Sequence, residues 1–392
     1  IFLPQLGLEK QEKVCSNCFP VADLVAKARS SSINFRIVAA KQLAEFSRDT
    51  AMVPKVVEVG GVQALVALAT VDQAEIQEGV MQGLHSLSMH QTLHNTLIQS
   101  GAVKAISHIL EKSSKHGNIS ADGISAIHIF CKTPGLITKV LQDGALLPVL
   151  NLCHSGGAVS LVAMKTLCII AKDKETHSII VDSQRVQALP QIFLFLNSTE
   201  PQMQSAAVKI LTYISASNNW CRHQLIQKDM ACGQNINSLL KGSTWQQEVL
   251  TMATALVANL AVCSSDTVCL SNLQKTLCSL LHRDNLDTET LLNILRGIAN
   301  FSKFKLNTPT LMQYLPEIIR KGLMSEHTQT KQQTMRAISF LLAYMPEQTT
   351  EHLLREGAGA YLIGISCFEK FFKMMNEFFS KTCPEIGDIS AF

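Results

Sequence analysis

The sequence predicts an all-helical solenoid, a fold in which one short helical unit is stacked many times. The first observation is internal self-similarity. A Gly-Ala pair recurs at Gly101, Gly144 and Gly357, with separations of 43 and 213 residues, and the second separation is five periods of about 42.6 residues. The second observation is the scarcity of strand signals, since sustained period-two alternation and Asn-Gly hairpin turns are missing. A fixed period of this length is typical of a repeat architecture.

A second sequence marker gives the same period independently. A Leu-Pro pair recurs at Pro148, Pro190 and Pro316, with separations of 42 and 126 residues, which are one and three periods of 42. Proline suits the first turn of a helix, where an N–H group has no intrahelical acceptor. Glycine suits the left-handed conformation after a helix, where a residue with a Cβ would cost roughly 1–2 kcal/mol. We therefore expect Gly to end one helix of each repeat and Pro to open the next.

Within one period, the apolar residues follow helical spacing. Ile76, Val80, Leu84 and Leu87 are three or four residues apart, so they share one face of a helix. A second apolar group lies within residues 93–98, after a polar break. Each period therefore predicts several helices with one buried face each.

Composition limits the class of protein and its partners. The 392 residues are 47% hydrophobic and 17% charged, with a mean hydropathy of +0.17, so the chain must bury much apolar surface and is not disordered. The net charge is +3 and no run of five like charges occurs, so we expect no nucleic-acid partner. The longest apolar stretch, Ala253 to Val262, is too short to cross a bilayer.

The twelve cysteines are scattered, and only Cys15 and Cys18 have the spacing of metal ligands. Five others lie among aliphatic residues, where a free thiol packs as a small hydrophobic group: Cys131, Cys153, Cys168, Cys263 and Cys278. Reduced packing thiols of this kind predict a cytoplasmic protein.

Residues 57–103 read VEVGGVQALVALATVDQAEIQEGVMQGLHSLSMHQTLHNTLIQSGAV and resemble an armadillo repeat. In that family a short helix ends at Gly, a second helix carries an apolar face like "LVALL", and a third ends in "L-x-N-L". The resemblance extends over about Asn34 to Ile363, which predicts about eight repeats. It implies a right-handed superhelix whose third helices line a concave groove that binds proteins or extended peptides. HEAT repeats are the nearest alternative, and the period and the Gly positions favour armadillo repeats.

The armadillo resemblance also implies groove residues. Family members that bind extended peptides have an Asn in each third helix, often near a Trp. Here Asn stands only at Asn259 and Asn300, and neither helix contains a Trp, so an importin-like ladder is not expected. Tyr213 and His85 complete the candidates for a partner-binding groove. The alternative is structural: Tyr213 and His85 cover the groove, and each Asn bonds a neighbouring helix.

No catalytic motif is present in the sequence. It has no P-loop, no G-x-S-x-G, no H-E-x-x-H and no EF-hand loop, so we expect a protein that is not an enzyme. His90 and His94 stand four residues apart, as two metal ligands on one helix face would. No Cys, Asp or Glu lies among them, which favours polar surface histidines over a metal site.

Residues 3–19, LPQLGLEKQEKVCSNCF, resemble the last stretch of a FYVE zinc finger. The matching residues are Leu3, Pro4, Gly7, Val14, Cys15, Cys18 and Phe19. The resemblance implies a finger that holds two zinc ions with eight ligands and docks on membranes carrying phosphatidylinositol 3-phosphate. Because Cys15 and Cys18 are only half of one tetrahedral site, we expect no stably bound zinc in this chain. We expect the chain to be a fragment of a longer, early-endosome-associated protein.

Three segments follow from these patterns: residues 1–20 as the end of a truncated finger, 21–363 as the solenoid, and 364–392 as a Phe-rich amphipathic helix and tail. The last segment contains FEKFFKMMNEFF, whose apolar stripe is expected to cap the final repeat. A helix that docks on a partner or a membrane is one alternative for this segment. A splice-specific or truncated tail is the other.

The leading functional hypothesis is a non-catalytic scaffold or adaptor that binds a protein in its groove. In the longer protein, a phosphoinositide-binding finger would bring it to endosomes. The alternative is a soluble transport receptor or peptide carrier without membrane targeting, which predicts an acidic groove.

Overall fold

The computed structural model describes residues 19–113, 117–182, 186–229, 233–242, 246–263 and 270–358. Within these ranges every regular element is a helix and no strand is present. The N-terminal finger-like residues 1–18, including Cys15 and Cys18, and the Phe-rich segment 364–392 lie outside the described residues. Phe19 and Pro20 are described as the first residues of a helix.

The helices recur in a three-part unit, and the longest helix of each unit is its third. The third helices begin 40 to 46 residues apart. They are α2 (Ile33–Arg48), α5 (Ala74–Ser88), α8 (Gly117–Lys132), α11 (Gly157–Lys172), α14 (Pro201–Ser215), α17 (Gln247–Leu260), α19 (Thr288–Phe301) and α22 (Thr328–Tyr344).

Shorter first and second helices connect the third helices. The second helices are α1 (Phe19–Ala28), α4 (Gly61–Leu68), α7 (Ala102–Ser113), α10 (Leu146–Cys153), α13 (Ala188–Leu194), α16 (Gln234–Lys241), α18 (Ser271–Ser279) and α21 (Leu315–Leu323). The first helices are α3 (Val53–Glu58), α6 (His94–Gln99), α9 (Ile137–Gln142), α12 (His177–Val181), α15 (Asn219–Lys228), α20 (Thr308–Met312) and α23 (Pro346–Arg355). Short 3₁₀ turns lie at Gln91–Leu93, Lys174–Thr176, Phe195–Asn197, Leu280–His282 and Lys305–Asn307.

The chain divides after Thr176 into two compact units. In the first unit, α2 packs on α5, α5 on α8, and α8 on α11. In the second unit, α14 packs on α17, α17 on α19, and α19 on α22. Each unit therefore contains its own uninterrupted stack of four third helices. The predicted all-α solenoid of about eight repeats is confirmed.

The glycine and proline markers lie where the sequence predicts. Gly101 and Gly144 follow α6 and α9 with φ of 83° and 89°, so both adopt the left-handed conformation. Pro148 and Pro190 are third residues of α10 and α13, and Pro316 is the second residue of α21. N–H groups in the first turn have no intrahelical acceptor, so these prolines remove no helix bond.

The core is formed by aliphatic residues, together with cysteines that behave like them. Cys131, Cys153 and Cys278 are free and buried, and burial raises the pKa of each thiol to about 12. A thiol that stays protonated is a poor nucleophile and a poor metal ligand. The prediction that cysteines pack in the core is confirmed for these three and for Cys263, whereas Cys168 is only partly buried.

The prediction of surface histidines is wrong for His94. This side chain is 3% exposed and its ring meets Phe130 edge-on, with ring centroids 5.2 Å apart. Its Nε2 lies 2.6 Å from the carbonyl oxygen of Ser88, and its Nδ1 lies 2.7 Å from the hydroxyl oxygen of Thr133. A carbonyl only accepts, so Nε2 carries the hydrogen. Both ring nitrogens have partners, which is why the imidazole is tolerated in the core.

No helix among the described residues has the length and apolar character needed to span a bilayer. This finding agrees with the short apolar stretches of the sequence.

Close packing of the third helices predicts the effect of adding a methyl group at Gly79. A Cβ at Gly79 of α5 would lie 2.9 Å from the carbonyl carbon of Ala40 in α2. Gly79→Ala should therefore destabilise the protein by about 1–3 kcal/mol, even though Ala is favoured over Gly in helices by roughly 1 kcal/mol. The measurement is the urea midpoint followed by circular dichroism.

Gly117→Ala is the control for this substitution. Among the described residues, no heavy atom lies within 4 Å of a Cβ at Gly117, the first residue of α8. Its midpoint should stay the same or rise slightly. Equal midpoints for the two variants would show that α2 and α5 do not pack as described.

Candidate functional site

One position of each third helix corresponds to the Asn of the armadillo pattern, and we call it the ladder position. It recurs once in every repeat, and its side chains are half-buried or exposed at seven of the eight places. In the first unit the residues are Glu45, Ser86, Ile129 and Ile169, and in the second unit they are Tyr213, Asn259, Asn300 and Phe340.

Three of the predicted groove residues therefore share the ladder position on successive helices. Tyr213 lies on α14, Asn259 on α17 and Asn300 on α19, all in the second unit. His85 lies on α5 in the first unit, one residue before that unit's Ser86. The second unit thus brings three candidates into one row, and their role in binding stays a prediction.

The two asparagines differ in how far their hydrogen bonds are already used. Asn300 is 8% exposed; its Nδ2 donates to the carbonyl oxygen of Ala258 at 2.8 Å, and its Oδ1 accepts from Nη2 of Arg336 at 2.5 Å. Asn259 is half-buried, and its Nδ2 donates to Oγ of Ser215 at 3.0 Å. All three bonds join adjacent third helices. Asn259 keeps more freedom than Asn300 to contact a ligand.

His85 also forms a bridge between repeats. Its Nδ1 lies 2.9 Å from Oδ1 of Asp122 on α8, and both side chains are partly exposed. His128 of α8 makes the corresponding contact with Oγ1 of Thr166 on α11, at 2.9 Å. Burial, followed by the nearby lysines, lowers the pKa of His128, so this imidazole is neutral at pH 7. Histidine here joins neighbouring third helices.

A second row lies one helical turn before the ladder position, and the sequence search for Asn and Trp missed it. Five of its eight residues are basic and none is acidic. They are Lys41, Gln82, Ser125 and Lys165 in the first unit, and Lys209, Ala255, Arg296 and Arg336 in the second. We call this set the basic row. Counting four residues back from each ladder position would have found it.

Two lysines of the basic row are neutralised by the next repeat. Lys41 pairs with Glu75 at 2.5 Å, and Lys209 pairs with Glu248 at 2.6 Å. Both glutamates stand eleven residues before the ladder position of the following third helix. The hydrogen bond and the charge of Lys209 lower the pKa of Glu248 below its ordinary value.

Arg296 and Arg336 lack such a partner. Within the described parts of the chain, no carboxylate forms a salt bridge with either guanidinium group. Nη2 of Arg296 donates to Oδ1 of Asn293 at 3.2 Å and lies 3.4 Å from the carbonyl oxygen of Ala255. Burial lowers the pKa of both arginines, and the charge of Arg336 lowers that of Arg296 further. The second unit thus contains a half-buried, uncompensated positive pair.

This charge pattern bears on the peptide-carrier hypothesis, which predicts an acidic groove. The basic row of the second unit contains one lysine and two arginines, of which only Lys209 has an acidic partner among the described residues. The third-helix face of the second unit is therefore not acidic at this row.

A separate cleft lies away from the third helices. It has a volume of about 420 Å³, and its lining includes Val66 and Ala69 beside α4, and Lys104 and His108 of α7. Asp143 also lines the cleft, and burial raises the pKa of this carboxyl. In the described ranges no group of three or more His, Cys, Asp or Glu residues has the arrangement of a metal site.

Comparison with known proteins supports the fold. No family model matches the chain, and no curated protein matches it by sequence. The crystal structure of an engineered protein, a target of the Northeast Structural Genomics Consortium, superposes with a TM-score of 0.63 at 18% identity over 94% of this chain and 85% of its own. This likeness, at low identity, concerns the fold alone. Together with the three-helix repeats, it defines the class as an all-α solenoid of armadillo-like repeats.

Designed armadillo repeat proteins also resemble part of the chain. One was computationally designed for modular peptide recognition; it has a TM-score of 0.48 and 19% identity over 61% of this chain and 99% of its own. Another was solved in complex with the peptide (KR)4; it has a TM-score of 0.47 and 18% identity over the same shares of the two chains.

The two asparagines should differ in their effect on stability. Asn300→Ala removes two cross-repeat hydrogen bonds and leaves Arg336 without its described acceptor, so the free energy of unfolding should fall by about 2–3 kcal/mol. Asn259→Ala removes one half-exposed bond and should cost about 1 kcal/mol or less. Urea denaturation of both variants measures the difference. A larger loss for Asn259→Ala would contradict the assigned contacts.

Proposed function

We propose that this chain is a non-catalytic protein-interaction scaffold that binds an extended protein segment along its third helices. The observation that carries the proposal is the stack of four third helices in each unit, which repeats one surface position at every step. A linear surface of this kind matches an extended chain, whose side chains also repeat at a fixed interval.

The surface is already ordered before any ligand arrives. In the second unit, the hydroxyl of Thr212 is shared between the carbonyl oxygen of Val208 in its own helix, at 2.8 Å, and that of Met252 in α17, at 3.1 Å. Asn300 donates to the carbonyl oxygen of Ala258. These bonds link α14 to α17 and α17 to α19. A pre-organised surface loses less entropy on binding than a flexible one.

Tyr213 and Phe340 provide aromatic surface at the two ends of the second unit's row. Both residues are half-buried, so each keeps part of its surface accessible to a partner. Aromatic residues of this kind dominate the binding energy of many protein interfaces. The row therefore combines aromatic anchors with the intervening amides of Asn259 and Asn300.

A peptide selection tests the scaffold function. A library of displayed random peptides is selected against the whole chain, and the enriched peptides are measured by fluorescence anisotropy. Tyr213→Ala and Phe340→Ala should each weaken binding by about tenfold or more, because they remove aromatic contact area. Lys275→Ala is the control, since Lys275 is exposed on the second helix α18.

Loss of binding only in the third-helix variants would support the proposal. Failure to enrich any peptide, or equal losses in all three variants, would contradict it. A soluble peptide carrier remains the alternative function, and selection of basic peptides would favour it.

We further propose that the natural, longer protein is an adaptor at early endosomes. The support is the FYVE-like pattern of residues 3–19, in which Cys15 and Cys18 supply two ligands of a zinc site. Zinc belongs to the whole finger in this proposal, and this chain alone holds none stably. The adaptor would be cytoplasmic, with phosphatidylinositol 3-phosphate membranes and a groove-bound protein as its two partners.

Vesicle flotation tests the membrane half of the proposal. The full-length natural protein should float with vesicles that contain phosphatidylinositol 3-phosphate and not with vesicles that contain unphosphorylated phosphatidylinositol. A zinc chelator should abolish flotation, because zinc binding and folding of such a finger are coupled. Equal flotation on both vesicles, or none, would exclude the endosomal role and leave the scaffold function untouched.

A further inference from the structure

The strongest unexplained feature outside the ladder position is the arginine pair of the second unit. We propose that Arg296 of α19 and Arg336 of α22 form a subsite for the side-chain carboxylates of an acidic, extended peptide segment. This inference rests on the proposed function, because it specifies the chemistry of the segment that the third helices of the second unit bind.

Two lysines of the basic row have acidic partners, which Arg296 and Arg336 lack among the described residues. Lys41 and Lys209 each pair with a glutamate that stands eleven residues before the next ladder position. At the equivalent place opposite Arg296, α22 has the exposed and uncharged Gln329. The repeat thus has a position for a neutralising acidic residue, but α22 has no acidic residue at that position.

Packing does not require arginine at this place in the repeat. The equivalent residue of α17 is Ala255, and those of α5 and α8 are Gln82 and Ser125. Two like charges near each other in a half-buried setting are unfavourable unless an anion joins them. Neutral residues at the equivalent places of α5, α8 and α17 show that third helices stack without a positive charge there.

The guanidinium groups of Arg296 and Arg336 are held in place by hydrogen bonds and still have N–H donors that are not used in these bonds. Asn293 and Asn300 accept from Nη2 of Arg296 and Arg336, respectively. Nε of Arg336 is buried without a hydrogen-bond partner among the described residues, and so is Oε1 of Gln333, one turn earlier on α22. A guanidinium group has five N–H donors in a planar fork, and a carboxylate is its matching bidentate acceptor.

The spacing of the helices fits an extended peptide. Packed helices lie about 8–10 Å apart, and an extended chain advances about 3.3 Å per residue. Acidic side chains two or three residues apart therefore reach both arginines. A peptide of about twelve residues, about 40 Å long, covers the four third helices of the unit.

The test uses fluorescein-labelled peptides of that length on the full chain. One peptide has Glu at alternate positions in a Ser and Gly background, and its match has Gln in place of every Glu. The Glu peptide should bind at least tenfold more tightly, and added salt should narrow the difference. Anisotropy measures both dissociation constants.

Variants locate the binding to the arginine pair. Arg296→Gln and Arg336→Gln should each weaken binding of the Glu peptide by about tenfold or more, with Arg296→Lys and Arg336→Lys intermediate because the charge stays and the fork is lost. Arg355→Gln is the matched control. Arg355 is an exposed residue of α23 that pairs with Glu351 at 2.6 Å, and its loss should leave binding unchanged.

Gln329→Glu tests the inference without altering either arginine. This change recreates the acid found at Glu75 and Glu248, so it should neutralise Arg296 and weaken binding of the Glu peptide. Because Gln329 is exposed, the variant should fold normally even where an arginine variant does not. Unchanged binding in Gln329→Glu and in the arginine variants would overturn the inference.

The remaining outcomes separate this inference from the scaffold function. Equal binding of the Glu and Gln peptides, with selected peptides still sensitive to Tyr213→Ala, would overturn the acidic subsite and leave the scaffold standing. Binding of no peptide would overturn both. A single-stranded oligonucleotide that displaces the labelled Glu peptide at a lower concentration than the unlabelled Glu peptide does would overturn the peptide assignment in favour of nucleic acid.

Discussion

The contact between successive third helices is the interaction on which the rest of the structure depends. At Gly79, α5 approaches α2 so closely that an added Cβ would lie 2.9 Å from the carbonyl carbon of Ala40. One amphipathic helix cannot bury its apolar face alone, so each repeat is stable only against the adjacent one. Because the contact recurs every 40 to 46 residues, every other position of the third helix recurs with it. A surface row is thus a direct consequence of core packing.

Cross-repeat hydrogen bonds turn that row into a fixed array. Side chains at or next to the ladder position bond the adjacent third helix, as His85 does to Asp122, Thr212 to Met252 and Asn300 to Ala258. Apolar packing is non-directional and tolerates small rotations, whereas a hydrogen bond depends on distance and angle. These bonds therefore fix the register between neighbouring repeats within each unit. They also show that candidate groove residues such as His85 and Asn300 stabilise the fold in addition to lying on the candidate binding surface.

The sequence was sufficient for the repeat but not for the roles of its polar residues. Gly101 and Pro148 mark helix boundaries through local backbone chemistry, which a linear reading detects. The burial of His94 depends on Ser88 and on Thr133, which lies 39 residues away in sequence. No local pattern reveals such a partner. Polar residues in a solenoid are therefore misjudged when their bonding groups lie one repeat away.

The same limit explains why the basic row was not visible in the overall charge. The net charge of +3 is small, and the basic residues of the row are about forty residues apart or more. Glu75 and Glu248 form ion pairs with Lys41 and Lys209. Only the alignment of the repeats shows that the equivalent residue opposite Arg296 is the uncharged Gln329. Near-neutral composition is thus compatible with a strongly local charge. In a stacked repeat, the residues that all repeats share are needed for packing. Binding specificity therefore depends on the residues that differ between equivalent positions.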